Sequence, residues 1–227
     1  MSQQYFAERP AAGRHPGSVH VVLPDVHLEL ETDSGVFSPS RLDPGTRLLL
    51  EAAPPPPAAG NLLDLGSGYG PLALVLAARS PGARVWAVDV NRRALELCAR
   101  NAGRAGLQNV RCAAPDDPAV PGAFGLIWSN PPIRIGKPAL HTLLTTWLAR
   151  LEPAGAAYLV VQRHLGSDSL QRWLGDAGWR AERIAARSGY RVLQVGPASQ
   201  VGEGGRVGKG GRVGKGGRVG KGGRVGK

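Results

Sequence analysis

The sequence predicts an α/β fold: a doubly wound, mainly parallel seven-stranded sheet, with a C-terminal antiparallel hairpin and a short N-terminal β appendage. Three observations carry that expectation. Beyond the proline run Pro54 to Pro57, short apolar runs alternate with longer segments of helical periodicity. A glycine-rich turn, Gly66-Ser67-Gly68-Tyr69-Gly70, follows the first of those runs. Ser188-Gly189 separates the last two, as a tight hairpin turn does.

Taken in order, Val19 to Leu23 and Val26 to Glu31 read as short strands around Pro24. Gly35-Val36-Phe37-Ser38 and the run to Thr46 read as a loop, Arg47 to Ala53 as a short helix, and Pro54 to Pro57 as a stiff spacer. Leu62 to Leu65 is a buried strand, and Leu72 to Arg79 is a helix stopped by Ser80-Pro81-Gly82. Val85 to Val88 is the next strand. Arg92 to Ala105 is a helix whose apolar positions, Ala94, Leu95, Cys98 and Ala102, recur at helical spacing before Gly106 closes it. Val110 to Ala113 and Gly125 to Trp128 are strands three and four, followed by a helix from Leu140 to Leu151. Ala156 to Val161 is strand five and Ser169 to Leu174 a helix. Arg183 to Ala186 and Arg191 to Val195 form the closing hairpin, which makes the last strand antiparallel.

The expected organisation is a flexible N-terminus over 1–18, a β appendage and linker over 19–57, the α/β domain over 58–197, and a disordered basic tail over 198–227. The net charge of +11 is concentrated in that tail: residues 204–227 are four copies of Gly-Gly-Arg-Val-Gly-Lys, whose eight positive charges leave +3 for the rest. A six-residue period that is half glycine cannot bury a core. It is either an inert repeat expansion or a flexible polycation that gathers RNA through counterion release. The mildly basic body permits a nucleic-acid partner without demanding one. No run approaches the roughly 20 apolar residues of a membrane helix, and the N-terminus has no apolar signal core. Cys98 and Cys112 give neither metal spacing nor a disulfide framework, and Cys98 reads as buried filler. A cytoplasmic protein without metal or membrane partner is expected.

Asp64-x-Gly66-x-Gly68-x-Gly70 stands where open α/β sheets bind ligands, beyond the carboxyl end of a strand. The spacing differs from the dinucleotide fingerprint. An acid two positions before the first glycine suits a ligand carrying an ammonium group, as S-adenosylmethionine does, and repels a pyrophosphate. Asp89 ends the second core strand, where a carboxylate can accept both ribose hydroxyls. Asp116 and Asp117 follow the third strand. They are either acceptors for an adenine amino group or a solvated turn between Pro115 and Pro118.

Asn130-Pro131-Pro132-Ile133 ends the fourth strand. An exocyclic amine is conjugated with its ring, so its lone pair is barely available. The Asn130 amide oxygen and the Pro131 carbonyl can accept its two N–H groups and aim that lone pair, while consecutive prolines hold the carbonyl rigidly. Arg134 and Lys137 lie just beyond, either to neutralise phosphates or as a solvated loop.

These residues together resemble the class I S-adenosylmethionine-dependent methyltransferases, a Rossmann-like fold. They are most similar to the "small domain" family that includes guanine-N2 methyltransferases of 16S rRNA. The resemblance spans roughly residues 19–196 and rests on Gly35 to Ser38, Leu42-Asp43-x-Gly45-Thr46, Leu63 to Gly70, Asp89-Val90-Asn91 and Ser129 to Lys137. It implies that Asp64, Gly66, Gly68 and Asp89 hold S-adenosylmethionine; Ser67 and Gly70 of the same turn, and Asp116 after the third strand, complete the candidate cofactor residues. It implies that Asn130, Pro131, Pro132 and Ile133 hold the target amine, with Phe37, Arg134 and Lys137 at the substrate. Many related enzymes carry Phe or Tyr at the position of Ile133, so Phe37, Tyr69 or Trp128 becomes the candidate for base stacking. The expected partner is RNA, small-subunit ribosomal RNA above all. The rival readings are methylation of a protein glutamine amide, and a non-catalytic ribosome-assembly factor.

Overall fold

The computed structural model describes residues 15–198. The repeat tail and most of the N-terminal segment lie outside the described residues. The chain opens with an antiparallel hairpin, β1 (Gly17–Val22) and β2 (His27–Thr32), in the register Gly17↔Thr32 to Val22↔His27. Helix α1 (Pro44–Ala52) precedes the seven-stranded sheet of β3 (Ala59–Leu65), β4 (Gly82–Val88), β5 (Val110–Ala113), β6 (Phe124–Ser129), β7 (Leu151–Gln162), β8 (Trp179–Arg187) and β9 (Tyr190–Pro197). Helices α2 (Pro71–Arg79), α3 (Arg92–Arg104), α4 (Lys137–Leu148) and α5 (Ser167–Asp176) connect the strands.

Strand order is β5-β4-β3-β6-β7-β9-β8, parallel from β5 to β7. The antiparallel member is β9, wedged between β7 and the edge strand β8. Both turn residues of that hairpin take positive φ, 50° at Ser188 and 80° at Gly189. This is the tight-turn geometry whose twist matches the flanking strands. Chain order reverses at β3, which pairs with β4 on one side and β6 on the other. The crevice beyond the C-terminal ends of β3 and β6 is therefore the switch point where such sheets bind ligands.

Side-chain alternation along each strand assigns two cores. Leu62, Val85, Leu126 and Val160 point to one face, where α1, α2, α3 and the N-terminal hairpin pack. Leu63, Val88, Ile127 and Leu159 point to the other, against α4 and α5. The hairpin's Val19, Val21 and Leu30 belong to the first core, so the appendage shares the interior of the sheet domain.

Several element boundaries differ from expectation. Helix α1 starts at Pro44, not Arg47, because the Asp43 carboxylate accepts the Thr46 N–H at 2.9 Å and Pro44 occupies the first turn. Helix α4 likewise starts on Lys137-Pro138 and ends at Leu148. Leu151, expected at the end of that helix, instead opens the long strand β7.

Candidate active site

The glycine turn after β3 is built by hydrogen bonds to the neighbouring strand. Gly66 N–H and Ser67 N–H both reach the Val88 carbonyl, at 2.8 and 3.1 Å, and Gly68 N–H reaches Asp89 Oδ2 at 2.8 Å. The turn requires φ of +76° at Gly66 and +56° at Gly68, which L side chains rarely adopt. A Cβ on either would meet no atom within 4 Å. These glycines thus serve backbone conformation and leave space in front of the turn open. Asp89 Oδ1 also accepts the Asn91 N–H at 2.8 Å. Burial pushes the Asp89 carboxyl above its ordinary range, and the backbone N–H groups of Asn91 and Gly68 partly offset that.

A cavity of about 470 Å³ opens in front of this turn. Of the residues expected at the cofactor, Gly66, Ser67, Gly68 and Asp89 line it. Asp64, Gly70 and Asp116 do not. Asp64 is fully buried under the turn, where its Oδ2 accepts the Ala73 N–H at 2.8 Å. It completes the first turn of α2, whose cap residue Gly70 has no side chain to do so. Burial pushes its carboxyl up to about 8. Gly70 is a packing glycine, since a Cβ there would sit 2.6 Å from Cys98 Sγ and from Leu74 Cδ1. Asp116 is exposed in a turn closed by Asp117, which accepts the Ala119 N–H at 2.8 Å; Pro115 lines the cavity instead.

The second half of the cavity is built from β6. Leu65 and Ser129 are paired across β3 and β6, and Ser129 Oγ donates to the Leu65 carbonyl at 2.7 Å. The residues after each, Gly66 and Asn130, consequently emerge side by side. Asn130, Pro131, Pro132, Ile133 and Arg134 all line the cavity, whereas Lys137 opens α4 in solvent outside it. Asn130 Nδ2 donates to Asp43 Oδ2 at 2.9 Å and to Thr46 Oγ1 at 3.0 Å. The Pro131 carbonyl accepts the Ile133 N–H at 2.8 Å and keeps a second lone pair.

A strap from Asp33 to Leu42 crosses the mouth. Gly35 O accepts from Asn91 Nδ2 at 2.9 Å, Pro39 O from Thr32 Oγ1 at 2.6 Å, and Ser38 O from Tyr69 Oη at 3.4 Å. The strap presents Phe37, 47% exposed, to the cavity. Tyr69 is committed to the strap and Trp128 is fully buried away from the cavity, so Phe37 is the stacking candidate in position.

Among the polar liners, Asp43, Thr46, Gln162 and Tyr190 form a group to which the sequence reading gave no site role. Asp43-Pro44 carries the helix-start signal that gives Asp43 a local reason to exist. Nothing near Gln162 or Tyr190 in the chain marks them. Tyr190 Oη donates to Asp43 Oδ1 at 3.3 Å and accepts from Gln162 Nε2 at 2.6 Å. Gly45 is small for the same reason, as a Cβ there would come within 2.5 Å of the Tyr190 ring.

The family described as "Methyltransferase small domain" matches residues 27–194. The chain belongs to it. The uncharacterized protein YbxB of Bacillus subtilis is 32% identical over 86% of this chain and 98% of its own length. Ribosomal RNA small subunit methyltransferase C of Aeromonas hydrophila is 38% identical over 62% of this chain and 42% of its own. A solved structure, the T. thermophilus 16S rRNA N2 methyltransferase RsmC in complex with AdoMet and guanosine, superposes with a TM-score of 0.64 at 25% identity. That match covers 83% of this chain and 52% of that one. The chain thus spans about half the length of the methyltransferase C relatives it matches.

The fold is the class I methyltransferase fold and the cofactor is S-adenosylmethionine. The site fits it. Ser67 Oγ is buried with no partner among the described residues, and Asp89 retains lone pairs on both oxygens beside the open face of the glycine turn. Asp89 would hold the ribose hydroxyls, and the turn with Ser67 the rest of the nucleoside and its amino-acid arm. When bound, the cofactor supplies an electrophilic methyl group. No helix among the described residues is long and apolar enough to cross a membrane.

Proposed function

We propose that this methyltransferase acts on an exocyclic amino nitrogen of RNA, namely guanine N2 in small-subunit ribosomal RNA. The observation that carries the reading is the orientation of Asn130. Both of its N–H groups are bound, to Asp43 and Thr46, so its amide oxygen is the end left for a substrate. That oxygen and the Pro131 carbonyl make two acceptors for the two N–H groups of one amine. Catalysis is then positioning: the acceptors turn the nitrogen lone pair toward the methyl donor and stabilise the positive charge that develops on nitrogen. Phe37 supplies a ring for the base at the mouth, and exposed Arg134 a charge for the backbone. The activity of RsmC on 16S rRNA, and that of the small-subunit ribosomal RNA methyltransferase C relatives, support the substrate.

The test is methyl transfer from isotopically labelled S-adenosylmethionine to small-subunit RNA and particles from cells lacking the gene, followed by nucleoside mass analysis. N2-methylguanosine is the expected product. Label in protein glutamine favours the amide reading. Cofactor binding without transfer to any substrate favours the assembly-factor reading.

A further inference from the structure

Asp43 is at the centre of a hydrogen-bond array that reaches across the fold. Its carboxylate receives Asn130 Nδ2 at the end of β6, Tyr190 Oη at the start of β9, and the Thr46 N–H of α1. Tyr190 in turn receives Gln162 Nε2 from the end of β7. Asp43, Thr46, Asn130, Gln162 and Tyr190 all line the same cavity.

A carboxylate only accepts hydrogen bonds. Every group facing it must therefore present a hydrogen. The Asn130 amide has to turn its nitrogen inward, and the Tyr190 hydroxyl has to spend its one hydrogen on Asp43. The Tyr190 oxygen is then left to accept, so Gln162 too must present its nitrogen. One buried carboxylate thus fixes the sense of each bond in the array, and the amide oxygens of Asn130 and Gln162 are the ends that the array does not use. Both N–H groups of Asn130 and the hydroxyl hydrogen of Tyr190 are consumed.

We infer that Asp43 sets the polarity of the amine site, making its wall a row of acceptors that selects a base edge carrying an amino group next to a ring N–H. This rests on the amine-acceptor reading of Asn130 and names the residues that give it specificity: Asp43 and Tyr190 as positioning residues, Gln162 as the acceptor for the ring N–H. Guanine has that edge, with the 2-amino group beside N1–H. Adenine and cytosine place their amino groups beside unprotonated ring nitrogens. A glutamine amide places its NH₂ beside a carbonyl oxygen. Each of those edges sets a lone pair against the acceptor wall, and an opposed or unsatisfied buried acceptor is the strongest discriminator available to a site of this kind.

The probes are guanosine and 2-aminopurine riboside, which share the 2-amino group; the second lacks both N1–H and the 6-oxo group, and two protein variants isolate the first difference. Their affinities are measured by ligand-observed NMR on the full chain holding S-adenosylhomocysteine. The wild type is expected to prefer guanosine by about tenfold or more, the cost of one opposed acceptor pair. Tyr190→Phe keeps the ring beside Gly45 but frees the Gln162 amide to turn. Asp43→Asn keeps the α1 cap but introduces a donor into the array. In both variants the preference is expected to shrink to within about threefold while S-adenosylhomocysteine affinity stays at the wild-type value, a change of selectivity that loss of packing does not produce. Equal wild-type affinities, or a preference that survives both substitutions, overturns the inference. So does absence of guanosine binding by an enzyme that methylates ribosomal RNA at guanine N2. Methylation at some other kind of nitrogen overturns the function beneath it, and the two failures are thereby distinct.

Discussion

Asp89 Oδ2 lies 2.8 Å from the Gly68 backbone nitrogen, so the carboxylate at the end of β4 also fastens the glycine turn after β3. Its other oxygen holds the Asn91 N–H, and Asn91 in turn caps α3 and anchors the strap through Gly35. A single side chain thus bears on the cavity, the turn and the strap that carries Phe37.

Asp89→Ala is expected to weaken S-adenosylmethionine binding by at least about 1.5–3 kcal/mol, the range for one charge-assisted hydrogen bond. It should also lower the melting temperature of the free protein, because the Gly68 and Asn91 N–H groups lose their acceptor. Asp89→Asn keeps one acceptor oxygen and should fall between the two. Calorimetry and thermal melting measure the two effects separately. An unchanged melting temperature would show that the turn stands without its anchor.

Asp64 gives a pH signature. Its carboxyl is pushed from the ordinary range to about 8, first by burial. Between about pH 4 and pH 8 the unfolded chain has released this proton while the folded chain keeps it. The raised value therefore contributes stability that is complete below pH 4 and lost as pH rises through 8. Asp64→Asn still offers an oxygen to the Ala73 N–H and cannot titrate. Melting curves of the two proteins are expected to lie close together near pH 4 and to separate as pH rises to 8, with the wild type declining more steeply. Parallel curves would mean that Asp64 is ionised in the folded chain.

The elements written in local sequence were readable: strand–helix alternation, the glycine turn, the Ser188-Gly189 hairpin and the placement of Asn130 beside that turn. What was not readable depends on contacts between distant segments. Asp43 and Tyr190 are 147 residues apart, and their meeting requires β9 to insert beside β7 instead of lying at the sheet edge. Asp64 looked like a ligand acid because it precedes the glycines, yet its side chain points beneath the turn to cap α2. Period-two alternation tells which face of a strand a residue takes, not whether a ligand or a helix terminus occupies that face. Asp116 failed to reach the cavity for a simpler reason, since it sits in an exposed turn between prolines.

Phe37→Ala should separate substrate from cofactor. The ring is half exposed, and the strap is tied through the backbone carbonyls of Ser34, Gly35, Ser38 and Pro39, so the fold loses little. Loss of one aromatic stacking partner is worth about 1–3 kcal/mol per base. The Michaelis constant for RNA is expected to rise accordingly, with S-adenosylmethionine affinity unchanged. Phe37→Tyr should restore it. A variant with wild-type kinetics on RNA would move the stacking surface elsewhere.

Asn130→Ala addresses the chemistry. The side chain stands between Asp43 and Thr46 on one side and the cavity on the other, and it makes no hydrogen bond to the glycine turn or to Asp89. Cofactor affinity should therefore stay near the wild-type value. Transfer should nonetheless fall on the order of 100- to 1000-fold, the usual cost of deleting one hydrogen-bonding group that acts on developing charge. Asn130→Asp supplies an acceptor oxygen but places a second carboxylate against Asp43, so it should recover activity only in part. Single-turnover transfer to small-subunit RNA, measured beside equilibrium binding of S-adenosylmethionine, distinguishes these outcomes. Transfer at the wild-type rate by Asn130→Ala would reduce this segment to a turn and leave the amine without its acceptor.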